Sequence, residues 1–416
     1  MNVYLRQSFL HPESAIQICG SKSESNRLLL LQAIFSKIEI KNLSTSEDTV
    51  VLQNALLSKE NTIDVHHAGT AMRFLTAYFA VQQGRELVLT GSERMKQRPI
   101  GPLVEALRQL GAQIEFLQKE GFPPLKITGK QISKNKVTID ASISSQFITA
   151  LLLVAPSLKN GLEINLQGEI TSLPYLQMTL TLLNQIGVET IIRGNKIQVG
   201  YLEKITPSSL KIEVESDWSS ASYFYSLVAL SPIGTEMALS NFKENSLQGD
   251  AELVKIYENF GVKTAFQKGT ILLKKTKNPI PGTLNLALNN TPDIAQTIAV
   301  TCFGLGKPCR LTGLHTLKIK ETDRLLALQT ELQKMGAQVE IDTDSFTLME
   351  PSKKYSDKNS GKDIFINTYD DHRMAMAFAP LALVKTLIIE NAGVVNKSYP
   401  KFWSDLQKAG LAIIIQ

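Results

Sequence analysis

An amphipathic helical run that ends in glycine and gives way to a short β-branched or aromatic segment recurs along this chain at an almost constant interval. Five copies are complete: LVEALRQLGAQIEF at Gly111, LTLLNQIGVETII at Gly187, ELVKIYENFGVKTAF at Gly261, TELQKMGAQVEI at Gly336 and DLQKAGLAIII at Gly410. Successive glycines are 76, 74, 75 and 74 residues apart. Each glycine suits the left-handed position that stops a helix, and the apolar residues before it recur at i, i+3 or i+4, and i+7. A single helix–glycine–strand junction means little, because the junction is common; four near-equal intervals in a row are a repeat. The period exceeds the roughly 20 to 50 residues of solenoids, so each copy reads as a small α/β module. A sixth copy, VLQNALLSKENTIDV near Leu57, keeps the helix and strand, is shortened and lacks the glycine.

A second series marks other helix starts. Ser21-Lys22-Ser23, Gly69-Thr70, Ser144-Ser145-Gln146, Asp217 with Ser219 and Ser220, Thr291-Pro292-Asp293, and Asp370-Asp371-His372 each stand before a run that is apolar nearly all round. Such helices belong at unit centres. Their N-termini carry hydroxyls, carboxylates and cations, and a helix N-terminus adds unpaired N–H groups and partial positive charge, so several facing one cleft form an anion site.

Composition removes other readings. With 416 residues, 43% hydrophobic and 20% charged, the chain has the makeup of a globular protein of two or three domains. Residues 1–14 lack the uninterrupted apolar core of a secretory signal, and no apolar stretch approaches the roughly 18 residues of a membrane span. Three cysteines without a Cys-x-x-Cys pair read as thiols in a reducing compartment. A cytoplasmic protein with no membrane partner is therefore expected. The five histidines show no metal-ligand spacing, so no metal is expected. A formal charge of +5, evenly spread, is too mild for a nucleic-acid partner.

Local motifs carry the chemistry. Ser21 to Arg27 combines a capping box, Ser21 with Glu24, and two cations on the first turns of a buried helix, which suits a phosphate; alone it is also an ordinary N-cap with solvated cations. His67 to Arg73 uses small residues that admit a ligand to the backbone, then adds a guanidinium. Residues 91–101 put Arg94, Lys96 and Arg98 at alternate positions, on one side of the loop if it is extended. Lys320-Glu321-Thr322-Asp323-Arg324 opens a helix in which Lys320 and Arg324 are i, i+4 neighbours and Glu321 pairs with either or acts as a base. Asp371-His372-Arg373 sets cations at a buried helix start, where an Arg without an anionic partner is costly and favours a ligand.

Together the stretches GSKSESNR, HAGTAMR, ERMKQRPIG, ISSQF, SLPY, SDWSSASYF, PDIA, KIKETDRL, YDDHRMAM and NKSYPKFW resemble, in order and spacing over essentially the whole chain, those of the EPSP synthase (3-phosphoshikimate 1-carboxyvinyltransferase) family. The resemblance implies a two-domain inside-out α/β fold of six βαβαββ-like units, three per domain. One domain would hold 19–215, the other 1–18 and 216–416, with the active site in the interdomain cleft. It implies transfer of the enolpyruvyl group of phosphoenolpyruvate to the 5-hydroxyl of shikimate 3-phosphate, by a monomer without cofactor. By motif, shikimate 3-phosphate would meet Lys22, Ser23 and Arg27, with Ser144, Ser145 and Ser172 at its phosphate and Gln146, Tyr175, Asp293, Thr316 and Lys320 elsewhere. Phosphoenolpyruvate would meet Lys22, Gly69, Thr70, Arg98, Gln146, Arg324, His372, Arg373 and Lys397. Bidentate guanidinium pairing with oxyanions accounts for so many arginines. Asp293 would accept the hydroxyl proton, with Glu321 and Lys22 the other catalytic candidates.

Three positions depart from the family's common pattern: His67 and Thr316 stand where Asn is usual, and Phe74 follows Arg73 where many members have Pro. The UDP-N-acetylglucosamine enolpyruvyl transferases share fold and donor, but usually carry a reactive Cys in the loop matching 91–101, and this chain has no Cys between Cys19 and Cys302. A non-catalytic anion binder on the same scaffold is the third reading, opposed by the presence of Lys22, Asp293 and Glu321.

Overall fold

The computed structural model describes residues 1–11, 14–168, 170, 172–205, 209–350 and 364–416. The chain divides into two compact units, one formed by Gly20–Val214 and one by Met1–Cys19 with Glu215–Gln416.

Each unit repeats one device three times: a strand, a buried helix, a second strand parallel to the first, a more exposed helix, then two antiparallel strands. In Gly20–Val214, Thr62–Asp64 and Glu86–Thr90 pair in parallel around the helix Gly69–Ala80, and Leu125–Thr128 and Gln113–Phe116 complete the sheet. Lys136–Asp140, Leu162–Gln167, Lys196–Val199 and Thr190–Arg193 do the same around the helix Ser145–Val154. The third copy departs from the reading of the sequence near Leu57. Among the described residues only Ile38–Lys41 and Leu210–Glu213 form its sheet, and Thr62–Asp64 after the helix Glu47–Leu57 belongs to the next sheet. This copy has lost both antiparallel strands, and with them the need for a glycine stop.

The other unit carries three four-stranded sheets. Two are built from 236–275 with Ser14–Ile16, and from 284–348. In the third, the N-terminal strand Val3–Leu5 lies antiparallel between Leu387–Ile389 and Ile413–Ile415 and replaces the strand expected after the last repeat. The two chain ends thus close one sheet.

Local chemistry explains the repeat. Gly111, Gly187, Gly336 and Gly410 all have φ between 88 and 108°. The residue after each donates its N–H to a carbonyl five residues back: Ala112 to Leu107, Val188 to Leu183, Ala337 to Leu332 and Leu411 to Leu406. This is the bonding of a helix closed by a left-handed residue, which only glycine adopts without strain. The helices enclosed by the parallel strands are sheathed on nearly every side: Phe147 to Val154, Ala71 to Ala80 and all of His372–Phe378 are buried. Strands such as Leu162–Gln167 alternate, with Leu162, Ile164 and Leu166 inward and the residues between them outward. Helices therefore lie inside and sheets outside, and the six inner helices present only their ends. No described helix is long and apolar enough to cross a membrane.

Candidate active site

All six helix starts of the second sequence series are helix starts, and each unit gathers its own set. In Gly20–Val214 the organiser is Arg27, on the second turn of the helix Lys22–Ile34. Its Nε donates to Thr179 Oγ1 at 2.8 Å, Nη1 to the Ser23 carbonyl at 2.7 Å, and Nη2 to the Tyr175 carbonyl at 3.2 Å and to Thr149 Oγ1 at 3.5 Å. The guanidinium carbon lies 5.7 Å from the Tyr175 ring centroid and 5.8 Å from that of Phe74. These bonds pin three helices at their N-terminal ends, so Lys22 and Ser23, Ser144 to Gln146, and Ser172 with Tyr175 share one region. Every one of those acceptors is neutral. Burial pushes the Arg27 pKa down to about 10, so the group stays cationic at neutral pH and favours an anion.

Lys22 reaches Asp48 Oδ2 at 3.0 Å. Asp48, in the first turn of the helix Glu47–Leu57, went unrecognised in the sequence because an acid there reads as helix-dipole complement alone. Ser144 caps its helix through the Gln146 N–H at 3.3 Å, and the Gln146 amide donates to Thr70 Oγ1 at 3.3 Å, joining that helix to the Gly69–Ala80 start. Ser172 is a left-handed residue, φ 56°, before the helix Leu173–Gln185.

The loop 91–101 is not extended. Met95–Gln97 forms a 3-10 turn, so Arg94, Lys96 and Arg98 diverge: Lys96 pairs with Glu93 at 2.7 Å and Arg94 bonds Gln97. Arg98 turns to the helix start, where a Cβ on Gly69 would sit 2.5 Å from its Nη1. Its buried Nε has no hydrogen-bond partner among the described residues. Arg73 sets this approach, donating to the Gly69 carbonyl at 3.1 Å and the Pro99 carbonyl at 2.9 Å. His67, anchored by Nδ1 to Ser92 Oγ at 2.9 Å, stands just before Gly69.

The second unit gathers a charged cluster. Asp293, in the 3-10 turn Pro292–Ile294, lies 3.2 Å from Arg324 Nη1 and 3.8 Å from Lys320 through Oδ1, and 3.1 Å from Arg373 Nη2 through Oδ2. Glu321 bridges Arg324, at 2.9 Å, and Lys397, at 3.0 Å. Asp371 grips Arg324 at 2.6 and 3.4 Å and caps its own helix through the Arg373 N–H at 2.8 Å. Burial works against the charge on Arg324. The carboxylates of Asp371, Glu321 and Asp293 outweigh it, and its pKa lies above the ordinary value.

Two sequence expectations are corrected here. The helix begins at Arg324, capped by Asp323, so Lys320 and Glu321 precede it; Glu321 meets Arg324 through a bend rather than by helical spacing, and Lys320 meets Asp293 instead. Arg373 has an anionic partner, Asp293, 80 positions away. His372 is buried beside Asp371, and Thr316, half-buried in the turn His315–Ile319, is outside this net of ion pairs. Asp371 is fully buried, and its hold on Arg324 has no signature in the sequence. Among the described residues no group of three or more His, Cys, Asp or Glu is arranged to hold a metal ion.

Comparison with known proteins shows what the chain as a whole resembles. The family model for EPSP synthase (3-phosphoshikimate 1-carboxyvinyltransferase) matches residues 51–406. A 3-phosphoshikimate 1-carboxyvinyltransferase of Bacteroides fragilis is 43% identical over 413 residues, covering 99% of this chain and 98% of that one. One from Haemophilus influenzae is 38% identical, covering 95% and 96%. An EPSP synthase structure from Acinetobacter baumannii superposes with a TM-score of 0.77 at 21% identity, covering 100% of this chain and 99% of that one. That likeness bears out the two-domain α/β fold class.

Proposed function

Because the chain belongs to the EPSP synthase (3-phosphoshikimate 1-carboxyvinyltransferase) family, we propose that its two clusters serve one pair of substrates in the family's reaction. The chain is an enolpyruvyl transferase: it moves the enolpyruvyl group of phosphoenolpyruvate to the 5-hydroxyl of shikimate 3-phosphate and releases phosphate.

The hydroxyl oxygen bonds to C2 of the enol as its proton leaves, and C3 gains a proton; C3 then loses a proton and the C2–O bond to phosphate breaks. The chemistry needs a carboxylate beside the hydroxyl, an acid at C3 and cations for two phosphates and a carboxylate. Asp293 is the acceptor for the hydroxyl proton in this reading, and Glu321 and Lys22 serve the C3 proton. Arg27, Lys22, Ser23, Ser144, Ser145, Gln146, Ser172 and Tyr175 hold shikimate 3-phosphate with Lys320 and Thr316. Lys22, Gly69, Thr70, Arg98, Gln146, Arg324, His372, Arg373 and Lys397 hold phosphoenolpyruvate.

The observation that carries this assignment is the sharing of Asp293 among Lys320, Arg324 and Arg373. These cations occupy the lone pairs of Asp293. An arriving phosphate or carboxylate competes for the same N–H groups and leaves Asp293 available to a hydroxyl. Site and substrate thus exchange ion pairs, which limits the desolvation cost of closing charge into a protein.

A phosphate-release assay tests the whole reading. Release with shikimate 3-phosphate plus phosphoenolpyruvate is expected. Release only with UDP-N-acetylglucosamine, or with neither acceptor, overturns it. Monomeric action in the cytoplasm is part of the same proposal, and a dimer mass by light scattering at assay concentration would remove the first half.

A further inference from the structure

Ser219 and Asp250 have no part in the roles given above, yet they touch the Asp293 cluster from one side. Ser219, on the first turn of the helix Trp218–Leu230, donates its hydroxyl to Asp250 Oδ2 and accepts from Arg373 Nη2 at 3.5 Å. The same Nη2 lies 3.1 Å from Asp293 Oδ2. Asp250 sits in the turn Gly249–Glu252 and is 4% exposed. We propose that Asp250 is a positioning residue for the transfer: through Ser219 it holds the Arg373 guanidinium in the orientation that meets phosphoenolpyruvate.

The physical reason is the single proton of a hydroxyl. A serine donates once and accepts with its lone pairs. While Asp250 takes that proton, Ser219 presents only lone pairs to Arg373, which can only donate. Without the Asp250 acceptor, which is Oδ2 whether or not the other oxygen carries a proton, the hydroxyl turns freely, the second contact on Nη2 weakens, and Arg373 shifts toward Asp293. A carboxylate buried this deeply is costly to keep. Burial first, and the neighbouring Asp293 carboxylate second, push the Asp250 carboxyl up to about 7, while the Ser219 hydrogen bond and the Arg373 charge pull the other way and Asp217 adds to the rise. Asp250 is therefore a buried acid whose hydrogen-bond partner is a serine that faces the active cluster.

This inference rests on the assignment of Arg373 to phosphoenolpyruvate, and the full-length chain separates the two. Steady-state kinetics with both substrates are run on Ser219→Ala, Asp250→Ala, the double variant, Asp250→Asn and Arg373→Ala, each checked for a cooperative melt. Ser219→Ala and Asp250→Ala are each expected to raise KM for phosphoenolpyruvate about tenfold, the loss of one hydrogen bond to a charged group, and to leave KM for shikimate 3-phosphate within about twofold. The double variant should be no worse than either single one, because both act through one contact. Asp250→Asn still accepts from Ser219 but carries no charge, and should keep KM at or below that of the unaltered chain. Additive effects in the double variant, or an unchanged KM in Ser219→Ala while Arg373→Ala raises it, overturn the proposal alone. If Arg373→Ala leaves that KM unchanged, the assignment of Arg373 fails and this inference falls with it. Should Asp250→Ala not fold, Ser219→Ala and Asp250→Asn decide the outcome.

Discussion

Replacing Asp293 by Asn should separate the two tasks of that carboxylate, because it is both the proposed proton acceptor and the partner of three cations. As an acceptor its loss is expected to lower kcat by roughly 10²- to 10⁴-fold, the usual contribution of a positioned base. As a partner its loss has the opposite sign for donor binding. At 3.1 Å, with an effective dielectric constant of about 20, the pair with Arg373 has a gross attraction of roughly 5 kcal/mol. Desolvation and residual solvent at Asp293, whose side chain is 17% exposed, return most of it. A net release of about 1 kcal/mol on removing the charge makes Arg373 more available to an anion, so KM for phosphoenolpyruvate should fall about fivefold. Shikimate 3-phosphate should still bind, as measured by calorimetry. Steady-state phosphate release over both substrates reads the remaining quantities. A kcat near normal would refute the base assignment, and a raised KM for phosphoenolpyruvate would refute the competition between Asp293 and the substrate for Arg373.

Three further perturbations have definite signs. Arg27→Ala removes four hydrogen bonds and a cation held between two rings; it should cost about 3 kcal/mol of stability in urea as well as weaken shikimate 3-phosphate binding, and an unchanged midpoint would show the network to be idle. Gly69→Ala drives a methyl to 2.5 Å from Arg98 Nη1, so Arg98 must move and KM for phosphoenolpyruvate should rise with little change for the acceptor; equal effects on both substrates would count against the role of Arg98. Asp250 holds its proton up to about pH 7 in the fold against an ordinary carboxyl value of 3.8. Unfolding therefore releases a proton between those values, and the stability of the native state falls as pH rises through that window. Asp250→Asn should raise the melting temperature at pH 8 relative to the unaltered chain and leave it unaltered at pH 4; the reverse pattern would mean that Asp250 is stabilised as a carboxylate.

Local elements were legible because their causes are local. The glycine stops follow from φ, the caps at Ser21, Ser144, Asp217 and Asp371 from short side chains beside N–H groups, and the buried helices from runs apolar all round. Readings that depended on the path of the backbone between elements fared worse. The alternation of Arg94, Lys96 and Arg98 suggested one basic side, but a 3-10 turn at Met95–Gln97 scatters them. The spacing of Lys320 and Arg324 suggested helical neighbours, but Asp323 caps the helix after Lys320. The copy near Leu57 looked merely shortened, while strand pairing shows its sheet reduced to two strands.

Repeat, unit count and family follow from the order of residues alone, since periodicity and motif spacing are properties of a string. Partnership is not such a property. That Asp48 holds Lys22, that Asp371 holds Arg324 and that Arg373 meets Asp293 and Ser219 depends on side chains 26 to 154 positions apart being brought within about 3.5 Å. Ion pairing falls off over a few ångströms in a protein interior and ignores sequence distance, so only the packed helices and sheets could decide it.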